Sequence, residues 1–371
     1  MDLTTTYLGL ELRNPLVASA SPLSNTIASI RQLAGSGIGA IVLYSLFEEQ
    51  LRRDAEQNAA WARAGTDSFA ESLSYFPSAI DTEGDGGLRR YVSLIERAVA
   101  AVDVPVIASL NGTTPGGWTD FAIALEQAGA AAIELNIYHP LGNPQLSGHD
   151  VEQRYLEMLM TVKAVVSVPV AVKLHPYFSS MAEMAHRLDT AGADGLVLFN
   201  RFMQPDIDPE SLKVTSWTGL STPSEARLPR AWISLLAGRV RASLAASTGV
   251  EGASDVARYL LAGADVVMTA SALLRHGPAH ARVLLDGLTS WMSRKGFAAR
   301  LLDGYRGQSA ADSSAVADVL LRISRLADDL PEVAELDLNP MIARADGCQA
   351  ADARIRVVPA ELDDPFLPKL R

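Results

Sequence analysis

The segment "VAVKLHP" (170–176) sets Lys173 between apolar neighbours. A lysine in that setting loses hydration on folding and needs a partner or a task. Two asparagines close similar apolar runs: Asn136 ends "IELN" and Asn200 ends "LVLFN". One ammonium and two amides converging on one mouth suit a planar, acceptor-rich ligand. The ammonium could also stabilise negative charge that develops on it. A second chemistry open to such a lysine is Schiff-base formation, as in a lyase or aldolase. "IELNIYHP" adds Tyr138 and His139 just before Pro140. An imidazole can accept a proton near neutral pH, or it can simply cap a loop. Ser19, Ser45, Asn111, Arg201, Thr248, Gly249 and Ser271 also fall where apolar runs end. Each alone is also what a strand needs as it turns into a loop, so the joint pattern carries the argument.

These residues need elements to position them. Eight short runs rich in Val, Ile, Leu and Ala read as strands: 15–21, 37–45, 104–112, 131–138, 168–176, 193–200, 241–248 and 264–271. They show little polar alternation, as expected of strands buried on both faces of a parallel sheet. "AGAAAIELN", "AGADGLVLFN" and "AGADVVMTAS" each put Ala-Gly, a helix-ending signal, before a strand, and "VDVPVIASL" and "VSVPVAVKL" put Val-Pro at a strand start. Between them lie amphipathic segments. One begins at Asp150, with Val151, Tyr155, Met158, Leu159 and Val162 on one face; another has Ser180 and Glu183 in capping-box spacing and closes at Gly192. Eight βα units predict an α/β chain folded as a (β/α)8 TIM barrel. The alternative is a doubly wound sheet, but no G-x-G-x-x-G follows the first strand. The two longest connections, 46–88 and 201–235, both follow strands and so lie on the barrel face where active sites form.

Composition narrows the partners. The 371-residue chain has a formal net charge of −11 and no Lys/Arg cluster, which argues against nucleic acid and anionic membrane surfaces. No apolar run reaches the roughly 18 residues of a membrane span, and "MDLTTTYLGLELRNP" shows no signal-peptide pattern. The single Cys348 excludes an internal disulfide and a cysteine-ligated cluster within the chain. A small-molecule substrate and a cytoplasmic setting are the expectation.

The pieces "LRNPLVASASP", "IELNIYHP", "VPVAVKLHPYF", "GLVLFNR" and "YLLAGADVVMTASALLRHGP" together resemble the dihydroorotate dehydrogenase family. These are FMN-dependent barrels that oxidise a C–C bond of a dihydropyrimidine. The resemblance covers residues 1–297 and implies an FMN cofactor and a homo-oligomer, a dimer. It implies that Ala18 and Ser19 lie near the flavin ring and that Lys173 lies against the ring's pyrimidine edge. Asn136 and Asn200 would bind flavin or substrate, with Ser45 and Asn111 in the cofactor site and Arg201 in the substrate site. Thr248, Gly249, Ala270 and Ser271 would hold the FMN phosphate through backbone N–H groups. His139 stands where the family has its catalytic base, a cysteine or serine before proline. Other departures are Tyr44 for the second-strand lysine, "SLSYFPS" for an Asn-rich substrate loop, and Thr248-Gly249 for Gly-Gly. The flavin-facing residues match better than the substrate-facing ones. The readings are therefore an FMN-dependent CH–CH oxidoreductase of pyrimidine metabolism, or an FMN-binding barrel of impaired catalysis that serves as a binding or scaffold protein.

From residue 298 the character changes. "ELDLNP" and "ADARIRV" resemble the end of the ATP-grasp domain of ADP-forming acyl-CoA synthetases. Asp337 and Asn339 alternate and could both reach one Mg²⁺. However, the nucleotide-binding half has no counterpart elsewhere in the sequence, so 298–371 is expected to be a small structural α/β extension without a metal.

Overall fold

The computed structural model describes residues 2–47, 86–112, 118–137, 145–200, 204–217, 219–302, 312–330, 332–338, 341–344 and 346–358. Tyr138, His139, Arg201, Asn339 and the expected substrate loop "SLSYFPS" lie outside them. The chain divides into two compact units, 1–289 and 290–371. The division falls within one helix, His280–Leu302, a few residues before the expected boundary at 297.

Unit one is a closed barrel of eight parallel strands. In barrel order they are Leu16–Ala18, Ala40–Phe47, Val106–Gly112, Ala132–Ile137, Val170–Leu174, Gly195–Leu198, Ser243–Ala246 and Val266–Thr269. The eighth pairs back onto the first, Val267 opposite Leu16. All eight expected strands form, each within or near its expected span.

The recurring motifs have a local cause. In "AGAD" the glycine ends the preceding helix in a left-handed turn (φ +95° at Gly192, +102° at Gly263), a conformation that costs glycine little. The aspartate then reaches across to the strand before it. Asp194 Oδ2 accepts the Val170 N–H and Asp265 Oδ2 accepts the Leu244 N–H, both at 2.7 Å. Each carboxylate thereby pins the entry of one strand to the next. The proline of Val-Pro starts its strand: Pro105 and Pro169 give no N–H, but their carbonyls accept from Ile41 and Ile133 at 3.0 Å.

The barrel interior is packed. Val42, Ile107, Ala132, Ala171, Val197 and Met268 belong to one buried cluster. At the opposite end from the site, a short hairpin that sequence reasoning missed (Thr5–Tyr7 with Leu10–Leu12) adds Tyr7, Leu8 and Leu12 to that cluster. Leu8 fills the space beside Gly195, where a Cβ would collide with Leu8 Cδ2. Apolar side chains sealed in this way contribute about 1.5–3 kcal/mol each.

Three details depart from the sequence expectation. The helix expected to start at Asp150 starts at Gly148. Ser147 caps it, and Asp150 is the reciprocal partner in a capping box. Ser180 is an N-cap by position, but its side chain makes no capping bond, so the expected box with Glu183 does not form. The 201–235 connection, expected only as a long loop, carries regular structure among its described residues. It contains an antiparallel hairpin, Gln204–Asp208 with Lys213–Trp217, followed by the helix Arg227–Leu236. Period-2 and period-3.6 cues are too short there to stand out from loop polarity.

Unit two holds the helix Ser313–Asp329 and two antiparallel strand pairs, Val333–Asp337 with Arg354–Val357 and Met341–Arg344 with Gly347–Ala350. Among the described residues no helix is long and apolar enough to cross a membrane, and no cluster of His, Cys, Asp and Glu could hold a metal ion.

Candidate active site

Register places the polar residues in layers. Asn111, Asn136 and Lys173 are successive register partners on the third, fourth and fifth barrel strands. One layer deeper, Ser45, Ser109 and Glu134 are register partners on the second, third and fourth. Side chains in register on neighbouring parallel strands share a face, so both layers point the same way, toward the barrel axis.

Lys173 is 7% exposed and Glu134 1% exposed. Lys173 Nζ lies 3.5 Å from Glu134 Oε1 and 3.5 Å from Ser19 Oγ. This is the partner that a lysine in "VAVKLHP" requires. Glu134 was missed in the sequence, although the acid in "IELN" is as anomalous in an apolar strand as the lysine. Asn200 Nδ2 donates to Asn136 Oδ1 at 2.8 Å, joining the two expected amides. Ser45 Oγ and Ser109 Oγ are 2.9 Å apart.

Ser19, Lys173, Asn200, Thr248, Gly249, Ala270 and Ser271 all line one cavity of about 210 Å³. It shares Ala20 with a second cavity of about 590 Å³ lined by Tyr44 and Ser45. Ala18 is not brought to either. It is buried in the strand ladder between Thr269 and Ile41, and the wall begins at Ser19. Asn111 is buried beside Asn136 in register and lines neither cavity.

Buried tyrosines on outer helices hold the strand ends. Tyr91 donates to the carbonyl of Tyr44 (2.8 Å) and accepts the Ser109 N–H (3.0 Å), while Tyr155 donates to Ile137 (2.9 Å) and Tyr259 to Thr248 (2.7 Å). The last supports an unusual turn. Thr248, a β-branched residue, has φ +83° and Gly249 has φ +70°. The Thr248 hydroxyl donates to Phe199 O at 3.2 Å. Ser221, also missed in the sequence, completes the cluster. The Gly249 N–H donates to Ser221 Oγ at 3.2 Å, and Ser221 Oγ lies 2.9 Å from Ser271 Oγ. The Gly249 N–H, expected to face a phosphate, is thus engaged by a side-chain hydroxyl.

Gly249 tests that geometry. A Cβ there would meet Ala226 N and Thr222 O at 2.8 Å, and both are backbone atoms that cannot swing aside. Gly249→Ala should cost about 2 kcal/mol or more, from left-handed strain plus the clash. Urea unfolding of the variant measures it; an unchanged midpoint would mean that the turn is not built this way.

His175 is 2% exposed. Its ring stacks on Phe178 (4.1 Å, 18°) and its Nδ1 accepts the Tyr177 N–H at 3.0 Å. Burial lowers its pKa to about 4. The folded state therefore binds this proton less well than the unfolded chain does. The stability it contributes is present above about pH 6.5 and is lost as pH falls toward 4, by about 3 kcal/mol in total. In His175→Phe, the loss of stability between pH 7 and pH 5 should be smaller than in the wild type by about 2 kcal/mol. Chemical denaturation at the two pH values checks this, and equal losses would refute it.

A closed parallel barrel with its polar cavity at the carboxyl ends of the strands, and with residues after the seventh and eighth strands on the cavity wall, defines a (β/α)8 barrel with its cavity on the face where such barrels carry their active sites. Within that class the chain belongs to the dihydroorotate dehydrogenase family, whose model matches residues 2–292. The chain is 29% identical over 304 residues to a protein of Aeropyrum pernix provisionally named dihydroorotate dehydrogenase A (fumarate), spanning 80% of this chain and 94% of that one. It is 26% identical over 302 residues to the dihydroorotate dehydrogenase B (NAD(+)) catalytic subunit of Methanothermobacter thermautotrophicus, spanning 80% and 95%. It is 29% identical over 275 residues to the subunit of the same name from Halalkalibacterium halodurans, spanning 71% and 85%. An ATP-grasp domain model matches residues 262–357 and so takes in the expected tail motifs.

Proposed function

We propose that the chain is an FMN-dependent dehydrogenase that oxidises a CH–CH bond, converting dihydroorotate to orotate or acting on a related substrate. The observation that carries this reading is the sharing of one cavity by a buried ammonium, Lys173, with Asn200 and the hydroxyl-rich wall formed by Thr248 and Ser271. The donor set fits the group. An ammonium suits the acceptor edge of a flavin, and the left-handed turn at Thr248–Gly249 with Ser221 and Ser271 suits a phosphate. Bound FMN would supply the acceptor for the two electrons removed from the substrate.

The protein's own residues supply the rest. Lys173 would place a positive charge beside the acceptor edge of bound FMN. Asn136 and Asn200, bonded to each other, orient polar groups of flavin or substrate. His139 and Arg201, outside the described residues, are assigned on sequence as the proton acceptor and a substrate contact. A homodimer is the assembly in which we expect the chain to work. The purified protein should be yellow, and cofactor released by heat should run as FMN on chromatography. A colourless protein that takes up no added FMN would refute the proposal and favour a flavin-free barrel, whose Lys173 borohydride would trap with a carbonyl substrate.

A further inference from the structure

Glu134 has no part in the function proposed above, yet among the described residues it is the most deeply buried acid. Its Oε1 faces Lys173 Nζ at 3.5 Å; its Oε2 is buried without a hydrogen-bond partner among the described residues. A carboxylate with one oxygen unsatisfied is a poor choice if stability alone were served. A buried pair is at best weakly stabilising compared with apolar residues of the same size. The pair has a direction, however. Glu134 sits one layer beneath Asn136 on the same strand face, and Lys173 is the register partner of Asn136. Lys173 lines the cavity and Glu134 does not, so the ammonium is the member of the pair that the cavity meets, with the carboxylate behind it.

We infer that Glu134 is a positioning residue that holds the Lys173 ammonium at the cavity floor and offsets part of its field there, so that the carboxylate sets how strongly the site favours negative charge on a bound flavin. This rests on the FMN reading of the cavity. The sign follows from the geometry. Removing the ammonium leaves the site more negative. Removing the carboxylate leaves the ammonium unopposed, and the site more positive.

The test uses the full chain loaded with FMN, and sulfite as the probe, since sulfite adds to oxidised flavin and leaves negative charge on the ring. At pH 6, Glu134→Gln should tighten sulfite binding about tenfold and Lys173→Met should weaken it about tenfold. Glu134→Asp, which keeps the charge, should stay within a fewfold of wild type. A Glu134→Gln protein that binds sulfite as the wild type does, or more weakly, would overturn the inference. A merely structural glutamate would give one of those two results.

A parallel measurement on the flavin-free protein separates this inference from the cofactor reading. Lys173→Met alone should unfold at a lower temperature than the double variant Lys173→Met/Glu134→Gln, because the single change strands a buried carboxylate. If the wild type takes up no FMN, the cofactor proposal falls. If the single and double variants then unfold together, the hold of Glu134 on Lys173 falls as well.

Discussion

Lys173→Ala should slow reduction of the bound flavin by about 10²–10³-fold, the cost of removing one preorganised electrostatic contact to developing charge. The loss should appear in the rate of flavin bleaching rather than in whether flavin is bound, because the wall formed by Thr248, Gly249 and Ser271 is left intact. The structure adds a second cost that composition did not suggest. With the ammonium gone, Glu134, 1% exposed, keeps its charge without a partner or must take up a proton. Removing one member of a buried ion pair costs about 3–5 kcal/mol. In a unit of this size that lowers the melting midpoint by roughly 5–8 °C. Stopped-flow bleaching and thermal unfolding check the two parts separately. A variant that bleaches at the wild-type rate would show that Lys173 does not face the reacting ring.

His139→Asn should slow flavin reduction by about 10²–10⁴-fold, the usual worth of a positioned base. His139 lies outside the described residues, and the prediction rests on its place before Pro140 in "IELNIYHP". A base must be neutral to accept a proton. An ordinary imidazole loses its charge near pH ~6.5, so the wild-type rate should rise through roughly pH 6–7 and then level off. The variant should lose both the rise and most of the rate while still binding FMN. A wild-type rate that is flat from about pH 5.5 to 8, or an asparagine variant of normal rate, would remove His139 from the chemistry. The base position also separates the two flavin readings. A protein that binds FMN but shows no substrate-driven bleaching in either form would be the non-catalytic flavin barrel.

The barrel was legible in the sequence for a local reason. Strands buried on both faces must be apolar throughout, and the helices between them must end and restart at short intervals. Runs such as "GLVLFN" and the Ala-Gly endings therefore record the fold directly. The cavity was partly legible too. Polar residues at the ends of such runs can only gather at one mouth once the strands are parallel and closed, and Ser19, Lys173, Asn200, Thr248, Gly249, Ala270 and Ser271 do line one cavity.

What the sequence could not supply are relations between residues far apart in the chain. Glu134 and Lys173 are 39 positions apart and meet only because register sets the fourth strand against the fifth. Ser221 comes from a connection with no regular pattern and reaches Ser271 across 50 positions. Thr248 adopts a left-handed backbone that no propensity favours for a β-branched residue; Tyr259, from the following helix, bonds its carbonyl. Ala18, expected in the site, turns into the strand ladder because side chains alternate along the strand, and it is Ser19 that meets the cavity. Local hydrophobic pattern is a property of consecutive residues and determined the fold class. Charge pairing, register and the supported turn are properties of closure, and only the tertiary structure decided them.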